Sequence, residues 1–138
     1  MKKILALVLA VLIFAGLCAC GSGESITFKS EHVCDVHGVY ISPITEDEWG
    51  DSMNYAVVKK GSSITIDFKK FAGDSPEYDI GVLDSTDMLY EFYEVPLAVG
   101  DILTFSGVGT FGTLTVTGTD GSVQTYNGEG NEVETTTG

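Results

Sequence analysis

Two histidines and a cysteine lie within six residues of one another and are the first candidates for chemistry. His32, Cys34 and His37 offer two imidazoles and a thiol, the donors that zinc and copper prefer. In a regular strand, His32 and Cys34 share one face and His37 points to the other, so the spacing alone does not complete a metal site. The alternative interpretation is one buried cysteine with two surface imidazoles, and the sequence favours it.

Acidic residues form the second candidate site. Glu46 to Asp51 is a mostly acidic stretch, and Asp84 and Asp87 lie in a turn further along the chain. Calcium prefers several carboxylate and carbonyl oxygens. If the fold brings the two loops together, Asp47, Asp51, Asp84 and Asp87 form a calcium site. We expect no cofactor, with calcium as the alternative. The spacing does not follow the EF-hand pattern, so a solvated acidic surface is the favoured alternative.

Aromatic side chains are the third candidate, as binding residues. Exposed tryptophan and tyrosine rings stack on sugars and anchor protein partners, which makes Trp49, Tyr40 and Tyr55 the residues to consider. Trp49 comes first because it lies in a polar loop. The favoured alternative is that Trp49 packs as a plug over one end of the core.

Catalysis finds little support in the sequence. The chain has no G-x-S-x-G motif, and only His32 and His37 are available as a general base. Twenty acidic residues make a chance carboxylate pair near-certain, so such a pair carries no information about glycoside cleavage. We therefore expect a protein that is not an enzyme.

These residues must be positioned by strands, because short runs of alternating apolar and polar residues recur between turn signals. The pattern predicts an all-β domain over residues 25–127, an antiparallel β-sandwich or alternatively a small β-barrel of about 7–9 strands. A capping box from Thr45 to Glu48 predicts one helical turn near residues 45–50, and the polar composition of 128–138 predicts a disordered tail. The predicted strands cover residues 25–30, 33–41, 53–58, 62–68, 77–83, 88–95, 101–106, 110–117 and 122–126.

The N-terminus has the pattern of a secretory signal peptide. Lys2 and Lys3 precede an apolar run from Ile4 to Leu17, which is short for a permanent membrane span. The following Leu17-Cys18-Ala19-Cys20 resembles the lipobox of bacterial lipoproteins. That resemblance implies cleavage of residues 1–19, a lipid on Cys20 that attaches the protein to the membrane, and a flexible leader at 20–24.

The middle of the chain carries a second resemblance. Tyr40-Ile41-Ser42-Pro43, then Trp49-Gly50-Asp51, then Tyr78-Asp79-Ile80 resembles a small secreted bacterial domain with a Y-x-S-P, W-G-D, Y-D-I pattern over roughly residues 25–105. The resemblance implies a fold and an extracytoplasmic location, without a reaction. The chain departs from the pattern at residues 31–35.

Charge and cysteine content narrow the function further. From Cys20 onward the chain has 5 Lys, no Arg and 20 Asp or Glu, a formal charge of 5 − 20 = −15, which excludes the clustered cations that nucleic acid requires. Cys34 is then the only unmodified cysteine, so stability must come from a packed core instead of a disulfide. We therefore expect a cell-envelope lipoprotein that acts as a non-catalytic binding or scaffold module for a protein or glycan, with a calcium-dependent surface module as the alternative.

Overall fold

A computed structural model describes residues 24–133, and the fold is all-β, as predicted. Within residues 24–133 there are eight strands, a number within the predicted range, and one helical element, a single 3-10 turn at Phe68–Lys70. The strands are β1 (Ser25–Ser30), β2 (Val36–Pro43), β3 (Ser63–Asp67), β4 (Glu77–Asp84), β5 (Met88–Pro96), β6 (Ile102–Val108), β7 (Phe111–Thr117) and β8 (Val123–Glu132).

The eight strands form one strongly curled sheet with the shape of a half-barrel. Their order is β2-β4-β5-β8-β7-β6-β1-β3. All neighbouring pairs are antiparallel except β1 and β6, which run parallel. The curl allows one face of the sheet to enclose the main core.

The core follows the predicted alternation along the strands. Tyr78, Ile80 and Val82 face the core from β4, and Leu114 and Val116 face it from β7. Side chains two residues apart share a face of a strand, so these positions form continuous apolar rows.

Glycines on β6, β7 and β8 accommodate the ring of Tyr90, which lies on β5. A Cβ atom on Gly112 would lie 2.7 Å from Tyr90 Cδ1, and one on Gly130 would lie 2.8 Å from Tyr90 Cε1. On Gly107 a Cβ would lie 3.0 Å from Tyr90 Cζ. The missing side chains therefore let three strands close around one buried aromatic ring, a device that favours strong curvature.

The segment 45–50 is not helical, so the prediction of a helical turn is wrong. The loop instead brings Trp49 against the outer face of β2, β4 and β5, where it joins Tyr40, Leu83 and Leu89 in a second apolar cluster. Burial of the indole in this cluster outweighs one local capping signal, because a single cap contributes only about 1 kcal/mol.

The segment 53–58 is not a regular strand either, although it lies along the edge of β2 as a strand would. Val36 and Val58 exchange two backbone hydrogen bonds of 2.9 Å. Between them, the Asn54 side chain accepts a hydrogen bond from the Val39 amide and donates one to the His37 carbonyl. A side-chain amide thus replaces part of the ladder, which covers the edge strand.

Strand β8 extends to Glu132, so the prediction of a disordered tail is wrong for residues 128–132. Residues 128–132 pair with β5 and, in part, with β7. The apolar contacts here come from the rings of Tyr90 and Phe92 against Gly128 and Gly130, so the strand needs few apolar residues of its own.

Candidate functional site

Three chemically reactive side chains meet at one end of the curled sheet. His32 and Cys34 come from the connection between β1 and β2, and Asp84 is the last residue of β4. One donor atom from each of them lies within 4.8 Å of the others. Within residues 24–133 this is the one group of three or more such side chains that approaches this closely.

His32 is buried, and its ring has polar contacts at both nitrogens and aromatic contacts with two neighbouring rings. Nε2 lies 2.9 Å from Asp84 Oδ2, and Nδ1 lies 3.2 Å from the Gly107 carbonyl oxygen. The rings of Tyr90 and Phe105 pack edge-on against the imidazole, at centroid distances of 5.5 and 5.1 Å. Both polar neighbours of the ring are oxygen atoms, so each ring nitrogen faces an acceptor within hydrogen-bond distance.

Asp84 is also buried, and its two carboxylate oxygens have different hydrogen-bond partners. Oδ1 accepts hydrogen bonds from the amide of Thr86 at 2.9 Å, the hydroxyl of Thr86 at 2.6 Å and the amide of Met88 at 3.1 Å. Oδ2 faces His32. Burial alone would raise the pKa of Asp84, but hydrogen bonds from Thr86, His32 and Met88 outweigh it and hold the pKa below its usual value. The carboxyl group is therefore ionised over the neutral range.

A pocket of about 350 Å³ opens over these side chains. The Tyr90 hydroxyl donates a 2.7 Å hydrogen bond to the Gly109 carbonyl and fixes one wall. Burial, and then the charge of Asp84, raise the pKa of Tyr90. The pocket is lined by His32, Val33, Cys34, Asp84, Thr86, Met88, Tyr90, Gly107, Val108 and Gly109.

The structure corrects the sequence-based account of the histidines. The predicted strand 33–41 begins only at Val36, so Cys34 lies in a bend, with His32 just before it, and neither lies on a strand face. His32 is buried, where a surface imidazole was favoured, and Cys34 is only half-buried. His37 is exposed on β2 and lies outside the group.

The four carboxylates predicted to bind calcium do not converge. Asp47 and Asp51 are exposed in the loop after β2, and Asp87 is exposed in the turn after β4. Asp84 is buried among protein donors, and its close neighbours are His32 and Cys34. The calcium site expected from Asp47, Asp51, Asp84 and Asp87 is therefore not assembled in the described part of the chain.

Of the three aromatic binding candidates, only Tyr55 is accessible. Its side chain is 83% exposed, with the Lys70 ammonium 6.0 Å from the ring centroid. Trp49 is 1% exposed and packs against Tyr40 and Tyr93 at centroid distances of 6.4 and 6.5 Å. Trp49 and Tyr40 therefore stabilise the outer apolar cluster, and neither presents its ring to a partner.

An exposed apolar tip, formed by Val33, Val108 and Phe111, lies beside the pocket and was missed by sequence reasoning. Val108 and Phe111 face each other across the hairpin between β6 and β7 and are 81% and 75% exposed. Gly109, with a φ of 60°, occupies the first central position of the two-residue turn. The hairpin is held by the Tyr90 hydroxyl on Gly109 and by the 2.7 Å bond from the Gly130 amide to the Thr110 carbonyl.

One feature of the sequence points to the group formed by His32, Cys34 and Asp84. Asp84 continues the row of Tyr78, Ile80 and Val82, so an acid occupies a core-facing position at the end of a strand. Such a residue must find donors in the interior, because a buried carboxylate without partners is costly. Nothing in the spacing indicates that His32 is one of those donors.

Comparison with protein-family models, curated proteins and solved structures found no match to this chain. In the described range, 24–133, no helix has the length and apolar character needed to cross a bilayer. Cys20 and the signal peptide predicted at 1–19 lie outside the described residues, so lipidation stays a prediction from the sequence.

Proposed function

We propose that the chain is a lipid-anchored, non-catalytic binding module of the bacterial cell envelope, and that it recognises a protein through the apolar tip. The N-terminal pattern that ends at Cys20 supports the anchor. The mature chain is strongly acidic, so its own charge does not attract it to an anionic membrane. The lipid on Cys20 must therefore provide the attachment.

The exposed apolar tip is the observation that carries the binding role. Isolated exposed apolar side chains are ordinary, but Val108 and Phe111 lie opposite each other beside a pocket, with Val33 on its rim. The hydrogen-bonded hairpin fixes their backbone, so little conformational entropy is lost when a partner binds. Two aliphatic side chains and one phenyl ring suit a protein surface better than a glycan, which needs flat aromatic faces and polar groups.

The arrangement of the imidazole argues against Cys34 as a catalytic nucleophile. A thiol nucleophile requires a base with a free lone pair. Both ring nitrogens of His32 face other acceptors, Asp84 and Gly107, so neither is available to take a proton from Cys34.

Site-specific photo-crosslinking in intact cells tests the binding role. A photoreactive residue at Phe111 is expected to form a protein adduct that disappears in the Val108→Asp variant. The matched control is Val123, the first residue of β8, which is 61% exposed, pairs with Thr117 at the far end of β7 and should give no adduct. Equal adducts at both positions, or an adduct that glycosidases digest, would contradict protein recognition by this tip. The same probe at Tyr55 tests the alternative surface.

Membrane fractionation tests the anchor. Cys20→Ser is expected to release the protein from membranes, because the thioether to the lipid can no longer form. Cys18→Ser is the matched control and should leave membrane association unchanged. Retention of the Cys20→Ser variant on membranes, or release of both variants, would refute anchoring through Cys20.

A further inference from the structure

The group formed by His32, Cys34 and Asp84 has the features of a metal site and not only of a buried ion pair. A buried His–Asp pair needs no thiol, yet a donor atom of Cys34 lies within 4.8 Å of both partners. The three donors also open onto the pocket, so an ion can reach them from solvent.

The imidazole is oriented as metal-binding histidines usually are. Such histidines donate their second N–H to a carbonyl or carboxylate, which fixes the tautomer and directs the other nitrogen at the ion. Nδ1 of His32 has the Gly107 carbonyl oxygen at 3.2 Å as this acceptor. Nε2 is then the ligand atom, and it already faces Asp84. Metal binding releases to solvent the proton of the Cys34 thiol, together with any proton on Nε2.

The carboxylate is supported in the same way. Thr86 and the Met88 amide hold Oδ1 of Asp84, which leaves Oδ2 directed at Nε2 of His32. Ligating carboxylates are commonly held by such second-shell hydrogen bonds. The two ligand atoms are 2.9 Å apart, and tetrahedral zinc would place them about 3.4 Å apart, a change within reach of small side-chain rotations.

We propose that His32 Nε2, Cys34 Sγ and Asp84 Oδ2 bind one divalent ion of the zinc type. A thiolate with an imidazole selects a borderline-soft metal over calcium or magnesium. Three protein ligands leave the fourth tetrahedral position open towards the pocket, where water can complete the coordination. The site does not depend on the proposed protein partner.

Spectroscopic titration with cobalt(II), followed by displacement with zinc, tests this site. The full chain carries Cys18→Ser and Cys20→Ser, so that Cys34 is its only thiol. One equivalent of cobalt is expected to give the visible bands of a tetrahedral ion and a thiolate-to-cobalt charge-transfer band, and zinc should abolish both. Thr86→Val should weaken zinc binding about 10–100-fold through the second shell, and Cys34→Ser should weaken it more and remove the charge-transfer band.

His37→Gln is the matched control, because it removes the other histidine from an exposed position, and its zinc affinity should be unchanged. Failure of the folded chain to bind cobalt would overturn the proposal and leave a purely structural ion pair. Cobalt bands that persist in Cys34→Ser, or that disappear in His37→Gln, would also overturn it. His32→Gln removes a proposed ligand and should also weaken zinc binding. If that variant does not fold, Cys34→Ser decides the question, since this change is nearly isosteric at a half-buried position. The titration contains no partner protein, so its failure and that of the proposed binding function are distinguishable.

Discussion

Replacement of Gly112 by alanine tests whether the curled sheet needs glycine here because the Tyr90 ring occupies the space of a side chain. The new Cβ would lie 2.7 Å from Tyr90 Cδ1 and 3.1 Å from Phe92 Cζ, so at least one ring must move. Both rings are almost fully buried. The backbone of Gly112 does not itself require glycine, since Gly112 is not among the residues with positive φ. The steric conflict with the rings is therefore the main cost.

The size of the effect follows from overpacking. Forcing an extra methyl group into a packed core costs about 1–3 kcal/mol. Without the ring, the same change removes backbone freedom from the unfolded chain and is neutral or stabilising by up to about 1 kcal/mol. Tyr90→Ala alone should cost about 3–5 kcal/mol. The two changes should therefore be coupled by about 1–4 kcal/mol, with the double variant more stable than additivity predicts.

Urea denaturation followed by circular dichroism, with a chelator present, measures the four free energies of unfolding in this cycle. Gly121→Ala is the control, because its cost arises from a φ of 85° and should be the same with and without the Tyr90 ring. If Gly112→Ala costs the same in both backgrounds, the ring does not determine the glycine, and the explanation given for the curl is refuted.

Three further predictions follow from the described residues. Burial, and then the Asp51 charge, raise the pKa of Tyr40, so its stabilising contribution is present below about pH 10 and is lost as the pH rises through the folded pKa. Urea titrations from about pH 8 to 11 should therefore show a steeper loss of stability in the wild type than in Tyr40→Phe, and equal slopes would contradict the burial effect. Trp49→Ala should lower the free energy of unfolding by about 3–5 kcal/mol in the same assay, since the indole fills the outer cluster, and a change below about 1 kcal/mol would mean that the cluster does not need it. Metal-free protein should have the same melting temperature with and without added calcium, because the predicted acidic ligands do not converge, whereas a rise with calcium would restore the calcium hypothesis.

Strands that contribute their own apolar side chains to the core were predictable from the sequence. β7 alternates between apolar and polar residues and buries the expected row, and β3 does so with Ile66 buried and Ile64 half-buried. β4 buries its expected row of Tyr78, Ile80 and Val82, but its other face is buried as well. The end of β8 was not predictable in this way, because the rings of β5 fill the space above its glycines. For residues 53–58 the position was predictable but the hydrogen bonding was not. The segment lies where a strand would, but the Asn54 side chain supplies hydrogen bonds that no periodicity reveals.

The candidate site escaped prediction because its parts are distant in sequence. His32 lies 52 residues from Asp84 and 75 from Gly107. Local spacing instead suggested His37 as the third ligand, although a neighbour five positions away on an extended chain points elsewhere. Only the sheet order, with β1 beside β6, places His32 near Gly107.

The contact between His32 and Asp84 requires the curvature of the sheet as well as its strand order. Between β1 and β4 the sheet contains β6, β7, β8 and β5, so a flat sheet would hold His32 and Asp84 far apart. Their 2.9 Å hydrogen bond therefore reports the curvature directly. The same Tyr90 ring that packs on Gly107 and Gly112 also packs on His32. A change such as Gly112→Ala should consequently disturb both the fold and the three donor atoms, because one aromatic ring connects the curvature of the sheet to the geometry of the site.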